Sequence, residues 1–90
     1  MQEITIYESD FPDALSVHDY LAEKLSFPSY YGHNLSALAD CLGDVDRPTR
    51  IVVERVDDDL WDERPWFGRI CRVLQRVGLE SDELEVVFRR

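Results

Sequence analysis

Ninety residues, with 19 Asp and Glu set against 10 Lys and Arg, carry a formal net charge of −9 and leave room for one hydrophobic core, so a single domain over residues 1–90 is expected. That acidity excludes direct binding to nucleic acid or anionic membranes, which recruit proteins through basic residues; a charged partner should be cationic. A hydrophobic content of 44% argues against disorder, and no apolar run approaches the ~18 residues of a membrane span.

Glu3-Ile4-Thr5-Ile6-Tyr7 alternates polar and apolar residues and predicts a first strand. A turn at Ser9-Asp10-Phe11-Pro12 leads into a first helix. Its expected start is a capping pattern of Ser16 and Asp19, with Leu15 stapled onto Tyr20. Val17, Leu21 and Leu25 form the buried stripe, and Pro28 is the expected stop. His18 reads as a surface histidine among polar neighbours. Residues 27–33 have no period and predict an ordered loop rich in aromatic side chains.

Asn34 is a good N-cap for a second helix, whose buried stripe is Leu35, Leu38 and Leu42. Gly43 is placed for a left-handed C-terminal turn. Ser36, Asp40 and Asp44 share the opposite, exposed face. Ile51-Val52-Val53, with Glu54, Arg55 and Val56 behind it, has the continuous apolar character of a central strand. A turn or short helix is expected over residues 57–61. Trp66, Phe67, Ile70, Val73, Leu74 and Val77 then recur at helical spacing, and Gly78 ends the pattern. Leu84, Val86 and Phe88 alternate through a closing strand.

Strands separated by helical crossovers must pair in parallel, so the expected fold is α/β, three parallel strands with helices packed on the sheet. The N-terminus has no positively charged, apolar leader, which points to a cytoplasmic protein whose Cys41 and Cys71 are reduced and buried.

No nucleotide-binding, zinc-protease, nucleophile-elbow or Cys-x-x-Cys motif occurs. Asp57, Asp58 and Asp59, with Asp62 and Glu63, are the densest acidic cluster. Together with His33 they could serve a small metal-dependent hydrolase, but caps and solvated charge explain them more simply. Arg69, Arg72 and Arg76 form a basic stripe expected to balance nearby carboxylates. The remaining constellation is Tyr30, Tyr31, Gly32, His33 and Asn34 followed by Ser36, Asp40 and Asp44. Large aromatics and an Asx cap crowd one end of an acidic helix face, and tyrosine is favoured in protein interfaces. An ordinary loop with core tyrosines accounts for these residues equally well.

The sixteen residues Phe27-Pro28-Ser29-Tyr30-Tyr31-Gly32-His33-Asn34-Leu35-Ser36-Ala37-Leu38-Ala39-Asp40-Cys41-Leu42 resemble the signature segment of the barstar family, intracellular inhibitors of secreted ribonucleases such as barnase. The segment meets every fixed position of Pro-x-Tyr-Tyr-Gly-x-Asn-Leu-x-Ala-Leu-x-Asp-Cys-Leu. The resemblance implies a barstar-like fold. It also implies a non-enzymatic, cofactor-free monomer that forms a 1:1 complex with a basic, guanyl-specific ribonuclease. Asp40 matches the family's central aspartate, whose carboxylate stands in for a substrate phosphate. Tyr30 matches the tyrosine that packs on the enzyme's catalytic histidine, and Asn34 and Gly43 match further contact positions. Tyr31, Gly32, Leu35, Ser36, Ala39 and Asp44 complete the expected partner-binding set.

This chain also departs from the pattern. Ser36 replaces an acidic residue and Ala39 a tryptophan, while Val73 falls where the family's last helix has a glutamate. A related ribonuclease other than barnase is the natural inference. The alternative is an immunity or interaction module against another cationic toxin.

Overall fold

The computed structural model describes residues 2–54 and 65–89. Strands β1 (Gln2–Tyr7), β2 (Thr49–Glu54) and β3 (Leu84–Arg89) form one sheet in the order β1-β2-β3, both pairings parallel. The sheet is connected through helices α1 (Ala14–Lys24), α2 (Leu35–Gly43) and α3 (Pro65–Glu80), with a 3-10 turn at Glu8–Asp10. This is the expected α/β architecture with the Ile-Val-Val strand at its centre. The segment expected to turn over residues 57–61, and with it the acidic cluster from Asp57 to Glu63, lies outside the described residues.

The register explains the core. Ile4 pairs with Ile51 and Ile51 with Val86, and Ile6 pairs with Val53, so one face presents a continuous aliphatic row to the helices. Val17 and Leu21 of α1, Leu38 and Leu42 of α2, and Phe67, Ile70, Leu74 and Val77 of α3 close over it. On the other face the same register sets Arg50 between Glu3 (3.6 Å) and Glu85 (3.2 Å), and Arg89 beside Glu54 (3.6 Å). Such exposed pairs add little stability individually, but they discourage register slips that would juxtapose like charges.

Four helix ends differ from expectation. α1 is capped by Asp13, whose Oδ1 accepts from the Ser16 backbone N–H (2.9 Å), while Ser16 Oγ donates to the Asp13 carbonyl (2.7 Å). An aspartate three residues upstream of Ser16 caps at least as well, so the helix begins earlier. Leu15 is consequently exposed; Tyr20 instead meets Phe11 edge-on (5.2 Å) and donates to the Thr5 carbonyl (2.9 Å).

α1 also ends before Pro28. Ser26 adopts a left-handed conformation (φ 55°), and the N–H groups of Ser26 and Phe27 donate to the carbonyls of Glu23 and Ala22. This is a Schellman closure built on serine where glycine is the usual choice. Replacing Ser26 with Gly should relieve the side-chain penalty and stabilise the fold by about 0.5–1 kcal/mol in urea unfolding. A lower midpoint for Ser26→Gly would contradict the assignment.

Neither glycine predicted as a helix stop acts as one, and no described glycine has positive φ. Gly43 is the last residue of α2; the turn closes by short-range bonds from Asp44 N–H to Cys41 and from Val45 N–H to Leu42 (both 3.2 Å), which satisfy the terminal carbonyls without a left-handed residue. Gly78 lies inside α3, where a Cβ would stand 3.0 Å from Val86 Cγ2: the helix rests so closely on β3 that any side chain there would press on Val86.

Candidate functional site

The candidate site begins with the loop between α1 and α2. The Tyr31 N–H closes a turn on the Pro28 carbonyl (3.0 Å), and the Tyr31 ring packs against Phe27 and His33 (centroids 4.9 Å each). Tyr31 is only 6% exposed and its hydroxyl lies 2.5 Å from His18 Nδ1. The neighbouring Tyr30 is 85% exposed. Two adjacent tyrosines, both expected at a contact surface, thus divide: one anchors the loop in the core and the other projects from it.

His18 corrects the surface reading, being 3% exposed. Three residues before Leu21 and seven before Leu25, it sits on the edge of the α1 stripe, a signal that helical spacing contained and polar neighbours obscured. Burial, then the nearby His33, holds its pKa below the usual value, while Asp19 opposes them; burial pushes the Tyr31 phenol up to about 12. Neutral His18 therefore shares one hydrogen bond between its Nδ1 and the Tyr31 hydroxyl.

His33 is left-handed (φ 53°), and both its nitrogens are engaged: Nδ1 with the Tyr31 carbonyl (2.9 Å), Nε2 with Asp19 Oδ1 (2.8 Å). Both partners are acceptors, so the pair of bonds is complete when both ring nitrogens carry protons. An imidazole held this way is poorly placed for acid–base work, which weakens the hydrolase alternative.

The lowered His18 value gives pH a defined sign. The unfolded chain binds this proton more readily than the folded one, so the contribution is fully present above about pH 6.5 and is lost as pH falls through the lower folded value. Urea midpoints measured from pH 7.5 to 5 should fall with acidity, and His18→Gln should flatten that segment. An unchanged slope in the variant would contradict the assignment.

Asn34 joins loop to helix. Its Oδ1 accepts from the Ala37 N–H (2.8 Å) and its Nδ2 donates to the Gly32 carbonyl (3.2 Å). A Cβ on Gly32 would come within 2.9 Å of that Nδ2, so a side chain there would push the Asn34 amide off the Gly32 carbonyl. Beyond the cap, Ser36, Asp40, Gly43 and Asp44 are exposed, whereas Leu35 and Ala39 are half-buried toward α3. Asp44 is the C-cap of α2. The helix thus carries an open acidic face along its length, with Tyr30 projecting from the loop that leads into it.

Two grooves between α2 and α3 border this face. One is lined by Asn34, Leu35, Trp66 and Arg69, the other by Ala39, Asp40, Gly43, Arg76 and Glu80. Among the described residues Arg69, Arg72 and Arg76 form no ion pair, and α3 holds one acidic residue, Glu80; the acidic cluster from Asp57 to Glu63, the nearest in sequence to this stripe, lies outside the described residues. Cys71 is buried as expected, whereas Cys41 is only half-buried; neither is in a disulfide. Burial, then Asp44 and Asp40, raises the Cys41 pKa and keeps it protonated.

Among the described residues no three His, Cys, Asp or Glu side chains converge as metal ligands, and no helix is long and apolar enough to cross a membrane. A three-stranded parallel sheet that carries one acidic helix face and one projecting tyrosine places the chain in a class, the small α/β domains. The chain belongs to the barstar family: the family model described as Barstar (barnase inhibitor) matches residues 1–90. The protein is also 47% identical over 90 residues to a Bacillus subtilis (strain 168) protein named "Putative ribonuclease inhibitor YrdF", covering 98% of this chain and 99% of the relative.

Proposed function

We propose that this protein inhibits a secreted, basic, guanyl-preferring ribonuclease by occluding its active site, without catalysis of its own. Asp40 carries the reading. Its carboxylate stands in the middle of the exposed α2 face, free of hydrogen bonds and ion pairs among the described residues, with room for a cationic cavity to close around it. There it takes the place of a substrate phosphate, and Tyr30 packs beside the enzyme's catalytic histidine. Gly43 leaves open space at its Cβ, Asn34 fixes the helix entry, and Tyr31 acts by holding the loop. The named relative and the family match support the ribonuclease as target; the net charge of −9 supports a basic one. The protein works as a cytoplasmic monomer in a 1:1 complex.

The test titrates the protein into barnase and several other small secreted guanyl-preferring ribonucleases while RNA cleavage is followed. At least one should be stoichiometrically inhibited, with association roughly ten- to a thousandfold faster at low ionic strength than at 0.5 M salt. If no enzyme in the series is slowed, the proposal fails. Inhibition whose association rate ignores salt would remove its electrostatic part.

A further inference from the structure

The arginines of α3 are anomalous in a chain with nearly two carboxylates per basic residue. Arg50 and Arg89 on the sheet are ion-paired, as that ratio favours. Arg69, Arg72 and Arg76 are exposed and, among the described residues, unpaired; Arg76 lines a groove with both Asp40 and Glu80 and bonds to neither. At 100° per residue the three side chains lie within one narrow sector of the helix, spanning about 10 Å along it. Arg69 borders the start of α2 and Arg76 its end, so the stripe runs beside the acidic face along its length.

We infer that Arg69, Arg72 and Arg76 form a cationic flank of the same interface and that its occupant is an acidic surface strip of the target ribonuclease beside its cationic active site. The inference rests on the inhibitor reading given above and adds the charge pattern that the partner must carry. A partner seated over Asp40 reaches Arg76 without leaving the groove that both line. Guanidinium groups without an ion-pair partner among the described residues are available for bidentate carboxylate pairing, which is directional and strong once water is excluded. The acidic α2 face thus selects cationic enzymes, and the flank discriminates among them, because a uniformly basic enzyme would meet three like charges.

The sign of a charge reversal decides the matter. Arg72→Glu and Arg76→Glu make the chain more acidic, so attraction to a basic enzyme through net charge alone would tighten binding. Local pairing with carboxylates weakens it instead, by about tenfold or more for each variant and chiefly through faster dissociation. The variants are compared with wild type on barnase and on whichever other ribonuclease of the series the protein inhibits best. Lys24→Glu, the same charge change at the end of α1, is the control and should leave inhibition unchanged or slightly tighter. Arg72→Gln and Arg76→Gln, with urea midpoints for all variants, separate an altered interface from an altered fold.

Wild-type inhibition matched or exceeded by the α3 reversals overturns the flank and leaves the inhibitor reading standing. Failure of the wild type on every enzyme removes both. A labelled RNA oligonucleotide that binds the free protein and is released by the same reversals would make the stripe a phosphate contact and overturn the inference too.

Discussion

Asp40→Ala should weaken inhibition by at least about 2–5 kcal/mol, the range for truncating one partner of a buried, hydrogen-bonded charge pair, which complexes of this family help to define. The free protein should hardly notice. Asp40 is exposed, makes no hydrogen bond among the described residues, and alanine is the better helix former, so the urea midpoint should stay within about 0.5 kcal/mol of wild type. In the complex the missing carboxylate leaves several enzyme cations desolvated and unpaired, and that penalty dominates.

Asp10→Ala removes the same charge from an exposed position on the 3-10 turn and should cost under about 1 kcal/mol. Equal losses for the two variants would reduce the role of Asp40 to bulk attraction. Ser36→Asp adds the companion measurement. It lies one helical turn before Asp40, and it tightens binding only if the enzyme presents a further cation there.

Tyr31→Ala should destabilise the fold by about 3–5 kcal/mol, a large share of the roughly 5–13 kcal/mol expected for ninety residues. The ring is enclosed by Phe27, His18 and His33, and its hydroxyl is the hydrogen-bond partner of buried His18 Nδ1. Tyr31→Phe separates the two contributions. It keeps most of the packing and leaves His18 Nδ1 without its hydrogen-bond partner, at a cost of about 1–3 kcal/mol. Tyr30→Ala provides the contrast: with 85% of the side chain in water, stability should be unchanged while inhibition weakens by more than about 1 kcal/mol. Urea unfolding of the three variants, followed by inhibition assays on those that remain folded, checks both assignments. If Tyr30→Ala unfolds as readily as Tyr31→Ala, the division of the two tyrosines into projecting and anchoring roles is wrong.

The sequence alone determined the parts of this protein that depend on local periodicity. Alternation over Glu3 to Tyr7, the Ile51-Val52-Val53 run and the 3–4 spacing from Trp66 to Val77 each allow essentially one regular structure. Helical crossovers then leave parallel pairing as the route to one sheet, and Asn34 caps α2 as its chemistry requires. The segment from Phe27 to Leu42 likewise carried the family resemblance in its own residues.

Tertiary structure decided what depends on which surfaces meet. A side chain at Gly78 would press on Val86 because β3 passes 3.0 Å from where its Cβ would be, a fact about a strand several residues further along the chain. His18 is buried because the loop returns Tyr31 over it, and of the two adjacent tyrosines Tyr31 turns inward to meet His18 while Tyr30 projects. Among the described residues the arginines of α3 have no carboxylate within ion-pair distance for the same reason. Charge counts tell how many acids a chain has, but only packing decides which of them come within reach of a guanidinium.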